Sequence, residues 1–313
     1  MVRLSTSPLR WRCAGVVRRA LITIVWLAYP HISHAANEDF VTFERGSLPI
    51  IITAPHGGEE LIPGVGLRGC GTSGVNCNTD LHTDLLADAL RDAVAAIMGQ
   101  APYVVMGNVD RSQIDYNRPA SLAYDDPLAA PFYDAYHNQI QAYVDEATAR
   151  WGAALLLDLH GQSSAPTTIF RGTQNGATVA GLLALYGPDA ITGPNSIFGQ
   201  LADAGYTVKP DVNLPWESQI EDPEYAGGFT VQTYGAGNTD GRINAIQIEF
   251  GIDLRDITGN PAAIDDLAAS MAGATATQYT SFPVTAIPEP SAVLLFGSGL
   301  ILLSVVRRRR PRR

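Results

Sequence analysis

Two histidines stand in closely similar settings. His56 follows the apolar run 48–53 inside Pro55-His56-Gly57-Gly58, and His160 follows the run 153–157 inside Asp158-Leu159-His160-Gly161. A histidine at the end of a strand is a natural neutral imidazole ligand for a metal ion, and glycines beside it would leave room for the metal or a substrate. Two histidines, one carboxylate and a water form a common catalytic zinc set. Two acids compete for the third position: Glu59, three residues after His56, and Asp80, which opens Asp80-Leu81-His82-Thr83-Asp84 and could instead be a helix N-cap. Asp158 lies two residues before His160, so on a strand both side chains share one face and Asp158 could orient the imidazole. Glu249 sits in the apolar stretch 246–250, where a carboxylate is costly to bury without a partner or a task. Proton abstraction beside a metal-activated water would be such a task, and pairing with an arginine is the alternative. In the segment 110–118, Arg118 offers a planar fork for a substrate carboxylate or for a carbonyl oxygen gaining charge, while Arg111 is expected to pair with Asp115.

These residues need elements that bring them together. Apolar runs of strand length recur at 48–53, 103–106, 153–157, 167–170 and 245–248, and runs without alternation imply strands covered on both faces. Helical stripes lie between them, over 83–98 and 131–151, with shorter helices expected at 181–186 and 196–204 and a last one within 256–280. The alternation predicts an α/β fold, a three-layer sandwich with a mixed, mostly parallel sheet. In such sheets ligands gather at the carboxyl ends of the strands, so residues that follow those runs should converge. Arg171, which follows the run 167–170, is counted with them as a substrate-binding residue. Residues 210–240 are expected to form long loops rimming the site.

The two ends read as processing signals. Arg3, Arg10, Arg12, Arg18 and Arg19 precede an apolar run at 20–28 and Ser33-His34-Ala35, the order of a secretory signal cleaved by signal peptidase after Ala35. At the other end Pro288-Glu289-Pro290, an apolar stretch at 292–306 and six arginines follow one another, which places the last residues on the cytoplasmic side of a membrane. Removing residues 1–35 and 287–313 takes eleven of the 21 basic residues and one of the 31 acidic ones, leaving 10 and 30. The remaining segment, 36–286, is expected to be the catalytic domain. Its net charge near −20 excludes nucleic acid as a partner. Cys70 and Cys77 are its only cysteines and in an oxidising compartment are expected to pair.

Two resemblances sharpen this reading. The C-terminal trio resembles the PEP-CTERM sorting signal, which implies transient anchoring through a transmembrane helix in a Gram-negative inner membrane, removal by an exosortase, and a final place at the cell surface or in the extracellular matrix. Pro55-His56-Gly57-Gly58, Asp80-x-His82-x-Asp84, Arg111-Ser112-x-Ile114-Asp115-x-Asn117-Arg118, Tyr136-His137, Asp158-Leu159-His160-Gly161 and Gln247-Ile248-Glu249 resemble, in order, the N-formylglutamate amidohydrolase family over roughly 46–255. The resemblance implies a zinc-carboxypeptidase-like (phosphorylase/hydrolase-like) fold with one Zn2+ per chain on His56, Asp80 and His160. It favours Asp80 over Glu59, makes Glu249 the catalytic acid, and gives Asn117 with Arg118 a substrate-carboxylate clamp. His137 is counted with Glu249 and Arg118 as catalytic if it lines the pocket rather than packs. The stretches 70–79 and 210–240 have no clear counterpart. N-formylglutamate hydrolysis belongs to intracellular histidine breakdown, so an exported enzyme is expected to take another N-acyl amino acid, a peptide or a cell-wall amide. The rival readings are a secreted metallocarboxypeptidase or deacylase using Glu59, and a non-catalytic matrix or surface binding protein.

Overall fold

The computed structural model describes residues 39–72 and 74–284. The expected signal segment and the expected sorting tail with its transmembrane helix lie outside the described residues. Among the described residues no helix is long and apolar enough to cross a membrane.

Among the described residues seven strands form one mixed sheet: β1 Val41–Glu44, β2 Ile50–Ala54, β3 Tyr103–Gly107, β4 Ala154–Gln162, β5 Thr168–Gly172, β6 Thr207–Lys209 and β7 Ile243–Gly251. Their spatial order is β1-β3-β2-β4-β7-β5-β6. The central strands β3, β2, β4 and β7 run parallel. β1 is antiparallel to β3, and β5 antiparallel to β7, so the sheet is mixed and mostly parallel. β2, β3 and β7 are buried along their whole length, which is why their sequences are continuous apolar runs rather than alternating ones.

Helices cover both faces. The α-helices are α1 Thr83–Met98, α2 Ala120–Ala123, α3 Ala130–Trp151, α4 Ala180–Tyr186, α5 Asp189–Thr192, α6 Ile197–Asp203, α7 Phe229–Tyr234 and α8 Ala263–Ser281. Leu86, Leu90 and Val94 of α1 and Leu267 and Met271 of α8 pack on Ile50, Ile52, Leu155, Leu157, Ile246 and Ile248. On the other face Tyr136, Ile140 and Tyr143 of α3 and Val231 of α7 meet Ile51, Leu156, Ile243 and Ala245. The three-layer sandwich is thus built from alternate residues of the same strands, one set per face. Cys70 and Cys77 are joined by a disulfide in the long connection between β2 and α1.

Candidate active site and metal centre

The sheet order sets β2, β4 and β7 side by side, and the register Thr53↔Asp158 and His160↔Glu249 aligns their carboxyl-terminal halves. His56 lies two residues beyond β2, whereas His160 and Glu249 sit inside β4 and β7. Residues 154, 156, 158 and 160 of β4 and 243, 245, 247 and 249 of β7 therefore share the face covered by α3.

His56, Asp80 and His160 are buried and bring ligand atoms within 4.8 Å of one another, a group that could hold a metal ion. Asp80 Oδ2 lies 3.4 Å from His56 Nδ1 and 3.1 Å from His160 Nδ1. Each imidazole donates its other N–H to a fully buried carboxylate: His56 Nε2 to Asp115 Oδ1 at 2.7 Å, and His160 Nε2 to Asp158 Oδ2 at 3.0 Å. Asp158 is itself fixed by Thr53 Oγ1 at 2.6 Å. With both Nε2 protons so committed, two Nδ1 lone pairs and a carboxylate oxygen face one point. Three acceptors in contact require a proton or a cation between them. The donor set of two imidazoles and a carboxylate fits a zinc ion.

The charges respond to this crowding. Burial would raise the Asp80 carboxyl, but its hydrogen bonds to His160 and His56 hold it well below the ordinary carboxylate range. Burial likewise opposes ionisation of Asp115, and the neighbouring His56, Arg111 and Arg68 overcome it. For His160, burial disfavours the cation, yet Asp158 and Asp80 raise its pKa well above the ordinary histidine value. Glu249 goes the other way: burial pushes its carboxyl up to about 7, with the Asp80 charge adding to the rise and His160 opposing it. Gln247 Nε2 donates to Glu249 Oε1 at 2.9 Å, which leaves Oε2 free of that bond.

The turn that carries Asp80 is local in origin. Asp80 N–H donates to His56 O at 2.9 Å, and Thr83 N–H and Oγ1 both donate to Asp80 O. Asp80 is not the helix N-cap; that position is His82, with φ 65°. Glu59 is exposed and lies outside the cluster. Gly57 and Gly58 do not open space for a ligand as expected: a Cβ at Gly57 would strike Asp84 and Thr83 of α1, and one at Gly58 the backbone of Asn108. They let the chain pass between α1 and the end of β3.

Arg118 stands at the rim with 45% of its side chain exposed, 3.9 Å from Asp115 Oδ2. Arg111 pairs with Asp115 at 3.1 Å. Asn117 is buried, its Nδ2 3.2 Å from His160 Nε2 and 3.3 Å from Gln247 Oε1, while its Oδ1 accepts from Thr230 N–H at 2.8 Å. Arg118 is the member of this pair that reaches solvent. Two expected site residues are elsewhere engaged. His137 has both ring nitrogens engaged away from the cluster, Nε2 with the Tyr116 carbonyl and Nδ1 with the Tyr234 hydroxyl, each at 3.0 Å. Arg171 pairs in register with Ile248, so it points to the face opposite Glu249, where it is bound to Glu221 at 2.9 Å and Gln219 at 3.0 Å. Asp115 as the anchor of His56, Arg68 beside it at 3.6 Å, and Arg255 near Asp80 and Glu249 were not singled out for these roles from the sequence.

Residues 126–254 match the family model described as N-formylglutamate amidohydrolase, and residues 286–310 match that of the PEP-CTERM protein-sorting motif. No curated protein matches the chain. Among solved structures the fold is similar to an N-formylglutamate amidohydrolase from Ralstonia eutropha JMP134, at 18% identity and TM-score 0.54, covering 78% of this chain and 99% of that one. It is also similar to a gene product from Agrobacterium tumefaciens, at 16% identity and TM-score 0.52, covering 79% and 97%. The PEP-CTERM motif implies export and surface sorting. Through residues 126–254 the chain is similar to the N-formylglutamate amidohydrolase family, whose members are hydrolases acting on amide bonds.

Proposed function

We propose that the chain is an exported zinc-dependent amidohydrolase that cleaves the amide bond of an N-acyl amino acid or peptide-like substrate. One observation carries this reading: both Nδ1 atoms and Asp80 Oδ2 converge while each Nε2 is anchored to a buried carboxylate. His56, Asp80 and His160 would hold one zinc ion, which when bound supplies Lewis-acid activation of water and of the amide carbonyl. Glu249, beside His160 in the register and with Oε2 available, takes the proton from the attacking water and returns it to the leaving amine. Arg118 at the rim binds the substrate carboxylate and so sets the carbonyl against the metal site. Export through the inner membrane and exosortase processing would place the enzyme at the surface or in the matrix of a Gram-negative cell, where N-acyl amino acids, peptides and cell-wall amides are the accessible amides.

The test is to purify the protein, quantify its zinc, and screen N-acyl amino acids and short peptides with and without a chelator. Hydrolysis that disappears on zinc removal and returns on its addition is expected. Hydrolysis that survives complete removal of metal would reject the mechanism.

A further inference from the structure

Arg255 ends the short turn Ile252–Arg255 that follows β7, and it is 2% exposed. Its Nε donates to the Phe250 carbonyl at 3.2 Å and its Nη1 donates to the Leu81 carbonyl. Its own carbonyl accepts from His82 Nδ1 at 2.8 Å. Each segment thus grips the backbone of the other with a side chain. Leu81 and His82 are the two residues after Asp80, and His82 holds a left-handed conformation, φ 65° and ψ 14°, that a residue with a Cβ adopts only when its surroundings impose it. The guanidinium also lies against Gly161, where a Cβ would collide with it, and the Gly161 N–H donates to Asp80 Oδ2 at 3.1 Å. The end of β7, the turn before α1 and the residue after His160 are therefore all gathered on one arginine.

We infer that Arg255 is a positioning residue of this site: with His82 it clasps the end of β7 to the turn before α1 and holds the Asp80 carboxylate over His56 and His160. The inference rests on the metal reading for its affinity consequence, but not for its effect on the turn. Gly161 is glycine because the clasp occupies the place of its side chain.

Arg255→Gln removes the fork, and Gly161→Ala fills its seat, so the two variants test one clasp by separate routes. The measurements are zinc affinity by chelator competition and amide hydrogen exchange on the metal-free full chain. Zinc affinity is expected to fall about 10- to 100-fold, the range for loss of groups that support metal ligands. Protection of the Asp80 and Thr83 amides should fall about ten-fold or more, while Ile52 and Leu156 in the sheet keep theirs. Unchanged affinity together with unchanged protection at Asp80 and Thr83 overturns the inference. So does a loss of protection spread evenly over the sheet, which would assign Arg255 to global stability. If the unaltered protein binds no zinc, the metal reading alone fails, and the exchange pattern still decides the clasp.

Discussion

Asp115 and Asp158 determine which nitrogen each histidine turns toward Asp80, and that choice makes three residues from distant parts of the chain into one donor set. Glu249 differs in kind, since burial raises its carboxyl to about 7, where it can both take and return a proton near neutral pH. Glu249→Gln keeps the shape and the Gln247 neighbour but cannot take a proton. The turnover number is expected to fall about 10²- to 10⁴-fold with zinc content unchanged; equal losses of zinc and activity would make Glu249 a ligand instead. His137 carries a pH prediction of its own. Burial lowers its pKa to about 4 from 6.5, so the folded protein keeps the ring neutral while the unfolded chain protonates it. Its contribution to stability is full above about pH 6.5 and is lost as pH falls toward 4, by at most about 3 kcal/mol. Unfolding free energies of wild type and His137→Gln between pH 4 and 7 should therefore converge at the acid end; parallel curves would refute the assignment. The two histidines were legible because a strand-end imidazole beside glycine is rare enough to notice. Asp115 was not, because its sequence neighbours Arg111 and Arg118 already supply a partner, and only the fold shows that His56 takes its other oxygen.

At the scale of elements, the polar site residues concealed the strands that carry them. The apolar run 153–157 stops at Asp158, yet the ladder continues to Gln162 because Asp158 and His160 keep the pleat and face the site. The edge strands β1 and β6 gave no signal: four and three residues long, and mostly half-buried or exposed, they lack both the continuous and the alternating pattern. Within the segment expected to be loop, α7 places Thr230 N–H on Asn117, and Gly228 N–H donates to Gln247 Oε1 at 2.6 Å. That segment is tied to β5 by Glu221, which accepts from Arg171 Nε, from Thr173 N–H and Oγ1, and from Asn175 N–H. Arg171, read from sequence as a substrate ligand, serves this strap. Glu221→Ala would leave its guanidinium buried and unpaired, at a cost of about 3–5 kcal/mol in urea denaturation. A loss below about 1 kcal/mol would mean that the strap is not held by charge.

For the molecule as a whole, the donor set spans His56 after β2, Asp80 before α1 and His160 within β4, so a bound ion ties together elements that only the sheet order makes neighbours. The sandwich was readable because its strands alternate with helices. What periodicity could not supply was the register that lines His160 up with Glu249, since register is decided by pairing across the sheet. A cation that binds the folded chain and not the unfolded one stabilises it by mass action, about 2.7 kcal/mol when free zinc is about 100 times its dissociation constant. For a domain of roughly this size each kcal/mol moves the thermal midpoint by about 2–4 °C, so saturation should raise it by about 5–10 °C. Asp80→Ala, His56→Ala and His160→Ala should each abolish that rise, while Glu59→Ala, exposed and apart from the cluster, should preserve it. A zinc-dependent rise that survives loss of Asp80 but not of Glu59 would move the metal to the other acid and undo the arrangement described for the turn before α1.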